Sequence, residues 1–180
     1  MADFVHLTNK TEYSLSEGAL PIARIAELCQ SFSMPAVGIS DNNNMFGALE
    51  FSEQIAKVGV QPILGCNIKI KTPKEYLHEN IEDNDLYFYL NIFSKNNEGY
   101  ENLLKCVSNA YTLNKGNACV TVDDLIKLKE GLIILSGGNN SILTHSTGHM
   151  ITKQSQQFIS DFKKEFNDNF YIEIQRFGSV

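Results

Sequence analysis

The chain has 180 residues, 43% of them hydrophobic, and a formal net charge of -6 at pH 7. This length and composition predict a single globular domain, which we expect to span residues 1–180. The acidic balance argues against direct nucleic-acid binding, because proteins that bind DNA or RNA on their own usually present a basic surface. The N-terminus does not have the pattern of a signal peptide, and no apolar run reaches membrane-spanning length. We therefore expect a cytoplasmic protein with no membrane partner.

The cysteine pattern predicts buried, reduced thiols. The four cysteines are Cys29, Cys66, Cys106 and Cys119, and no two of them have C-x-x-C spacing. Three lie in apolar surroundings, where a free cysteine behaves as a small hydrophobic residue. A disulfide framework or a zinc site is therefore not expected.

Short apolar runs alternate along the chain with segments of helical periodicity. The first half predicts strands at residues 4–7, 36–39 and 62–70 and helices at 20–32 and 45–57. Pro35 ends the first helix, because proline cannot continue the helical hydrogen bonding. Gly59 is placed to end the second helix in a left-handed conformation.

The second half continues this alternation after a polar, aperiodic segment at 71–86, which predicts a surface loop or a hairpin. Strands are predicted at 86–93, 132–135 and 170–174 and helices at 98–113 and 151–166, with a short helix capped by Thr121 that ends before Gly131. The side chains expected to face the core from the helix at 45–57 are Phe46, Leu49, Ile55 and Ala56. From the helix at 98–113 they are Tyr100, Leu103, Leu104, Val107 and Tyr111, and from the helix at 151–166 they are Phe158, Ile159, Phe162 and Phe166.

Strand–helix–strand units of this kind predict an α/β fold with a parallel sheet or barrel and right-handed crossovers. Residues 176–180 follow directly after the last predicted strand. We therefore expect an uncovered sheet edge, and a chain that is cut from a longer protein or lacks its closing elements.

Functional groups of parallel α/β folds gather at the carboxyl ends of the strands. Here those ends carry mainly amides and hydroxyls, with Asp41 as the single carboxylate and Lys10 and Arg176 as cations. Divalent metals need several anionic or imidazole ligands, so this set predicts a poor metal site. Asp41 can equally well cap a helix that begins near Asn44.

The histidines do not gather at these strand ends. His6 falls within the first predicted strand, where a packing or capping role is expected. His145 and His149 have the i, i+4 spacing of a helical metal site, but the composition of residues 144–148 favours a loop. Gly137 and Gly138 could cradle a phosphate through their backbone N–H groups, or simply form a tight turn.

Several segments match one family in the same order along the chain. They include MPAVGISD at 34–41, NMFGALEF at 44–51, QPILGC at 61–66, SKNNEGYENL at 94–103, EGLIILSG at 130–137 and YIEIQR at 171–176. Together with residues 4–7 and 11–15, they resemble the PHP (polymerase and histidinol phosphatase) domain of bacterial DNA polymerase III alpha subunits. The resemblance covers residues 4–176. It implies a PHP-type distorted (β/α)7 TIM-like barrel, incomplete in this chain.

Active members of that family hold a metal cluster, and this sequence departs from their ligand pattern. Where the resemblance implies a His-x-His pair, this sequence has Thr8 and Lys10. At three further histidine positions it has Asn42, Tyr89 and Phe177. Asn67 stands at a glutamate position, and Gly138 stands at a cysteine position. Among these aligned positions only Asp41 is kept. Lys10 also places a positive charge where cations would bind.

The resemblance therefore implies the N-terminal PHP portion of a replicative DNA-directed DNA polymerase, a nucleotidyltransferase that uses Mg²⁺. The chain itself is expected to be a structural and protein-interaction module without catalytic residues, metal or cofactor. Its expected partners are the rest of the alpha subunit, the proofreading exonuclease subunit and the replicase holoenzyme, with DNA contacted through the parent protein. One alternative is a residual metal-dependent phosphoesterase or 3'–5' exonuclease built on Asp41. Another is an anion pocket formed by Lys10, Arg176 and the glycine turn.

Overall fold

The structure is a computed structural model that describes residues 4–77, 86–113, 116–138, 141–145 and 152–175, without the side chains of residues 144 and 145. Its helices are α1 (Ile22–Ser31), α2 (Ala48–Lys57), α3 (Asn97–Thr112), α4 (Val122–Lys127), α5 (Ile142–His145) and α6 (Lys153–Phe166). Its strands are β1 (Ala36–Asn42), β2 (Gln61–Lys71), β3 (Tyr87–Ser94), β4 (Leu132–Leu135) and β5 (Phe170–Tyr171). Two 3₁₀ turns, Lys74–Tyr76 and Asn167–Asn169, complete these elements.

The strands form one sheet in the order β1-β2-β3-β4-β5. β1 pairs with β2 and β4 pairs with β5 in parallel, whereas β3 is antiparallel to both of its neighbours. The predicted α/β class is confirmed, but the expectation of a wholly parallel sheet is wrong at β3. A parallel crossover needs a long connection, usually a helix, to return the chain to the start of the next strand. Among the described residues, the connection after β2 contains only the short 3₁₀ turn Lys74–Tyr76. β2 and β3 pair as a hairpin requires, and residues 78–85 of the predicted surface loop or hairpin lie outside the described residues.

The predicted strand at residues 4–7 is also wrong. This segment runs beside β1 without forming a regular ladder: Gly38 N donates to His6 O (2.7 Å) and Ser40 N donates to Asn9 O (2.8 Å), so a step of two residues along β1 meets a step of three along the segment. A Cβ atom at Gly38 would overlap the carbonyl oxygen of Leu7, so this close approach requires glycine. The segment covers part of the edge of β1 all the same.

Helix ends follow the predicted sequence signals. Thr121 caps α4 by accepting a hydrogen bond from Asp124 N (3.2 Å). Gly59 ends α2 with a positive φ of 76°. Thr152 caps α6 in the same manner as Thr121, through Ser155 N (3.1 Å).

The core lies mainly between one face of the sheet and the helices. A larger apolar cluster packs β2, β3 and β4 against α3 and α6, and it includes the predicted Phe158, Phe162 and Phe166. A smaller cluster packs β1 against α1 and α2. All four cysteines are buried and free of disulfides, as predicted.

Two of the predicted helix faces need correction. On α3, Leu104 and Tyr111 are exposed, and the buried positions are Gly99, Asn102, Leu103, Cys106 and Ala110. The backbone of α3 approaches Gly131 so closely at Gly99 that no Cβ would fit, so small residues form the contact. On α2, Ile55 is buried as predicted, but Leu49 and Ala56 are exposed, as is Phe46 in the turn before the helix. No helix among the described residues is both long and apolar enough to cross a membrane.

Candidate functional site

Three asparagines stand side by side on the face of the sheet opposite the main core. The strand register pairs Asn42 of β1 with Asn67 of β2, and Asn67 with Asn91 of β3. Alternate residues of a strand point to opposite faces, so these three side chains share one face. We call the site that they begin the polar rim; it consists of Ser40, Asn42, Asn67, Asn91, Ser136, Gly138 and Glu173.

Asn91 is the centre of the polar rim and is only 4% exposed. Its Oδ1 accepts hydrogen bonds from Ser40 Oγ (2.7 Å) and from Asn67 Nδ2 (2.8 Å). Its Nδ2 donates to Glu173 Oε2 (2.7 Å). The amide of Asn91 therefore uses both acceptor positions and one donor within the protein.

Glu173 is a second carboxylate at this edge, which corrects the expectation that Asp41 is the only one. Its Oε2 also faces Gly138 N (3.4 Å), and its Oε1 accepts from Gln175 Nε2 (2.7 Å). Its backbone N–H donates to Ser136 Oγ (3.0 Å). The residue lies two positions beyond the end of β5, where alternation from Tyr171 would have placed it on the same face.

Lys10 and Glu17 form an ion pair beside the rim. The ammonium nitrogen of Lys10 lies 2.5 Å from Glu17 Oε2. The hydrogen bond from Lys10, followed by one from Asn42, lowers the pKa of Glu17 below its usual range. Burial, and then the nearby Glu17 charge, raises the pKa of Tyr89. Lys10 is therefore neutralised by an acidic residue that the sequence pattern did not single out.

Asp41 faces the other way. It is 1% exposed, and its Oδ1 accepts from Thr11 N (2.7 Å) and Ser14 Oγ (2.5 Å). Its Oδ2 accepts from Thr11 Oγ1 (2.7 Å). Asp41 thus fastens the turn at residues 11–14, and the alternative that it caps a helix near Asn44 is wrong. The side chain of Asn44 caps the turn before α2 instead, by accepting from Phe46 N (3.1 Å).

The remaining predicted positions are more scattered. Thr8 is exposed on the N-terminal segment, and His6 is exposed with its ring edge-on to Phe4. His145 ends the short helix α5, where a loop was expected. Arg176, Phe177, His78 and His149 lie outside the described residues.

The donor set of the polar rim does not fit a cluster of divalent metal ions. Glu173 of the rim already accepts protein hydrogen bonds, and the other rim residues offer neutral amides and hydroxyls. Of the neighbouring acids, Asp41 is bonded on the other face and Glu17 holds an ammonium group. The side-chain oxygen Asn42 Oδ1 is buried and lacks a hydrogen-bond partner among the described residues, which leaves a single neutral acceptor. Within the described part of the chain, no three His, Cys, Asp or Glu side chains are arranged to hold a metal ion.

The anion-pocket alternative also meets an obstacle at this rim. Lys10 is already paired with Glu17, and the N–H of Gly138 is directed at the carboxylate of Glu173. An incoming phosphate would therefore be repelled by the carboxylate of Glu173 and would compete with Glu17 for the ammonium group of Lys10. Of the three elements of the predicted pocket, the two described here are committed to acidic partners.

This α/β sheet with an edge of polar loops belongs to a recognised class. The PHP domain model matches residues 6–177, and the chain belongs to that family. Among curated proteins it is 35% identical over 176 residues to the DNA polymerase III subunit alpha of Rickettsia felis, and 34% identical over 181 residues to that of Caulobacter vibrioides. These matches cover 97% of this chain but only 14% and 15% of the two relatives.

Solved structures confirm the TIM-like fold class. A structure from Chromobacterium violaceum, described as an amidohydrolase with bound sulfate and no metal, superposes with a TM-score of 0.59 at 10% identity. The superposition covers 93% of this chain and 75% of the Chromobacterium violaceum chain. A Bifidobacterium adolescentis structure described as a metal-dependent phosphoesterase gives a TM-score of 0.57 at 11% identity, covering 96% and 77%. Identities this low relate the folds alone.

Proposed function

We propose that this chain is the N-terminal PHP portion of a replicative DNA polymerase alpha subunit and acts there as a structural and protein-interaction module. The proposal is supported by the family match and by the identity to DNA polymerase III alpha subunits over nearly the whole chain. In this proposal the parent protein is a cytoplasmic DNA-directed DNA polymerase that uses Mg²⁺ at residues outside this chain. The partners are the rest of the alpha subunit, the proofreading exonuclease subunit and the replicase holoenzyme.

One observation argues most strongly against metal-dependent catalysis by the chain itself. At the edge of the sheet where the family resemblance implies a metal site, the side chains of Ser40, Asn67, Asn91 and Glu173 are hydrogen-bonded to one another. A divalent ion would have to displace these bonds and would gain mostly neutral ligands in return. The rim is suited to holding strands and loops together.

The direct test uses the chain with the Rickettsia felis alpha subunit from which the matching segment has been removed. We expect the two to co-purify, and we expect the chain alone to extend no primer. Serum albumin, an unrelated acidic protein, is the binding control. Primer extension by the isolated chain, or no association with the shortened subunit, would contradict the proposal.

A metal-dependent phosphoesterase or 3'–5' exonuclease is the second candidate. It is favoured by the carboxylate of Glu173 in the rim, by that of Glu17 beside it, and by Asn42 Oδ1, which lacks a hydrogen-bond partner within the described part of the chain. Manganese-dependent hydrolysis of bis-p-nitrophenyl phosphate, or of a single-stranded oligonucleotide from its 3' end, would support this candidate. The activity must be lost in Glu173→Gln, because a contaminating nuclease would be unaffected by that change.

A further inference from the structure

Three large apolar side chains stand in solvent on the turn at residues 11–17 and at the start of α2. Leu15 is 86% exposed, Phe46 is 75% exposed and Leu49 is 71% exposed. Phe46 lies in the turn just before α2, and Leu49 lies in the first turn of that helix. We call these three residues the apolar patch. Water contact with large apolar side chains is unfavourable, so clustered exposure of this kind marks an interaction surface.

The two segments that carry the apolar patch are fastened together. Tyr13 OH donates to Glu50 Oε2 (2.9 Å), and Asn44 Nδ2 donates to Tyr13 O (3.1 Å). Ser14 Oγ accepts from Asn42 N (3.1 Å) while it donates to Asp41. Leu15 is therefore held next to the loop that leads into α2. A surface fixed before binding loses little conformational entropy when a partner docks.

Charge defines the chemistry of the occupant. Residues 11–54 contain six acidic side chains, of which Glu17 is paired with Lys10, Glu27 is paired with Arg24 (2.7 Å) and Asp41 is buried. Glu12, Glu50 and Glu53 accompany the apolar patch on the same two segments, and Glu12 and Glu53 are exposed. This negative potential attracts a cationic partner and disfavours nucleic acid, an anionic membrane or the same acidic surface of a second copy.

We propose that the apolar patch docks an amphipathic segment of a partner protein, with apolar side chains on one face and lysine or arginine beside them. The apolar side chains of the partner cover Leu15, Phe46 and Leu49, and its cations face the neighbouring glutamates. In this manner of recognition an amphipathic helix lays its apolar face on an apolar surface, and charge sets the choice of partner. The inference rests on the proposed interaction role and names the surface and the partner chemistry for it.

The test titrates the chain with a synthetic amphipathic helical peptide of leucine and lysine, followed by calorimetry and by backbone chemical shifts. We expect shift changes centred on residues 12–17 and 44–53, and an affinity that falls as salt is added. The same peptide with glutamate in place of lysine should not bind. The double variant Phe46→Ser/Leu49→Ser should weaken binding by about tenfold or more, as expected when central apolar contacts are removed.

The matched control is Tyr111→Ser/Leu113→Ser, which changes two exposed apolar residues near the end of α3 and should leave binding unchanged. Because all four residues are exposed, both variants are expected to fold, which the unfolding transition of each one checks. Equal affinity for the two double variants would overturn the proposal, as would shift changes elsewhere or self-association through the patch. These outcomes leave the primer-extension and metal tests unaffected, so a failure here is distinguishable from a failure of the proposed function.

Discussion

The two faces of the sheet are held by different forces. On the core face, apolar side chains pack beneath α3 and α6, and the stabilisation grows with the apolar area removed from water. On the opposite face, the polar rim is held by side-chain hydrogen bonds whose buried donors and acceptors need their partners. The comparison shows two separate means of holding the same strands. Apolar packing holds them on one face, and a hydrogen-bonded set of amides, a hydroxyl and one carboxylate holds them on the other.

The largest effect is expected on the core face. Phe158 is fully buried among aromatic rings that include Phe88 and Phe162, so Phe158→Ala should cost about 3–5 kcal/mol in the free energy of unfolding. Phe46→Ala is the matched control and should change it by less than about 0.5 kcal/mol, since Phe46 is exposed. Denaturant titration measures both. Similar costs for the two variants would contradict the assignment of the core.

Asp41 is expected to matter next. Asp41→Ala leaves the donors of Thr11 and Ser14 without their acceptor, which should cost about 2–3 kcal/mol. The exposed Asp168→Ala is the comparison and should have little effect, because surface ion pairs contribute little. Thermal or denaturant unfolding distinguishes them. A nearly neutral Asp41→Ala would mean that the turn at residues 11–14 does not depend on this carboxylate.

Asn91 tests whether the polar rim behaves as a network. Asn91→Ala should cost about 2 kcal/mol, because it leaves Ser40, Asn67 and Glu173 with unmatched polar atoms. A double-mutant cycle with Ser40→Ala should show a coupling energy, whereas the exposed Asn97→Ala with Ser40→Ala should be additive. Additivity in the first cycle would contradict the network.

The smallest effect is the pH dependence of the Lys10–Glu17 pair. Because the native pKa of Glu17 is lowered, its contribution is fully present above the usual pKa of glutamate and is lost as the pH falls through the native value. Lys10→Met should remove this contribution, which we expect to be below about 1 kcal/mol because both side chains are partly exposed. Unfolding curves of the two proteins should therefore converge in acid. A difference in unfolding free energy between the wild type and Lys10→Met that grows as the pH falls would contradict this assignment of the pair.

Local sequence signals predicted much of the fold. Proline, glycine and threonine marked the helix ends, and apolar periodicity located every described helix of eight or more residues. The face of α3 was not predictable from apolar residues alone, because Gly99 and Ala110 make the close contact and large side chains remain outside. The direction of β3 depends on tertiary pairing, which no local pattern encodes.

The candidate site was predictable only in part. The resemblance drew attention to Asn42 and Asn67, and the register places them side by side. Asn91 lies in none of the matching segments, and Glu173 lies in the segment YIEIQR but was not singled out as a site residue, although alternation along their strands would have suggested the shared face. Glu17 gave no signal, since its contact with Lys10 depends on how the turn folds back.

The most direct measurement is the metal content of the chain after equilibrium dialysis against Mn²⁺ and Zn²⁺, determined by elemental analysis. Wild-type protein and Glu173→Gln should both leave dialysis without stoichiometric metal, because the rim acids are already bonded within the protein. Two or more tightly bound ions in the wild type that Glu173→Gln releases would contradict the assignment of the polar rim as a structural network.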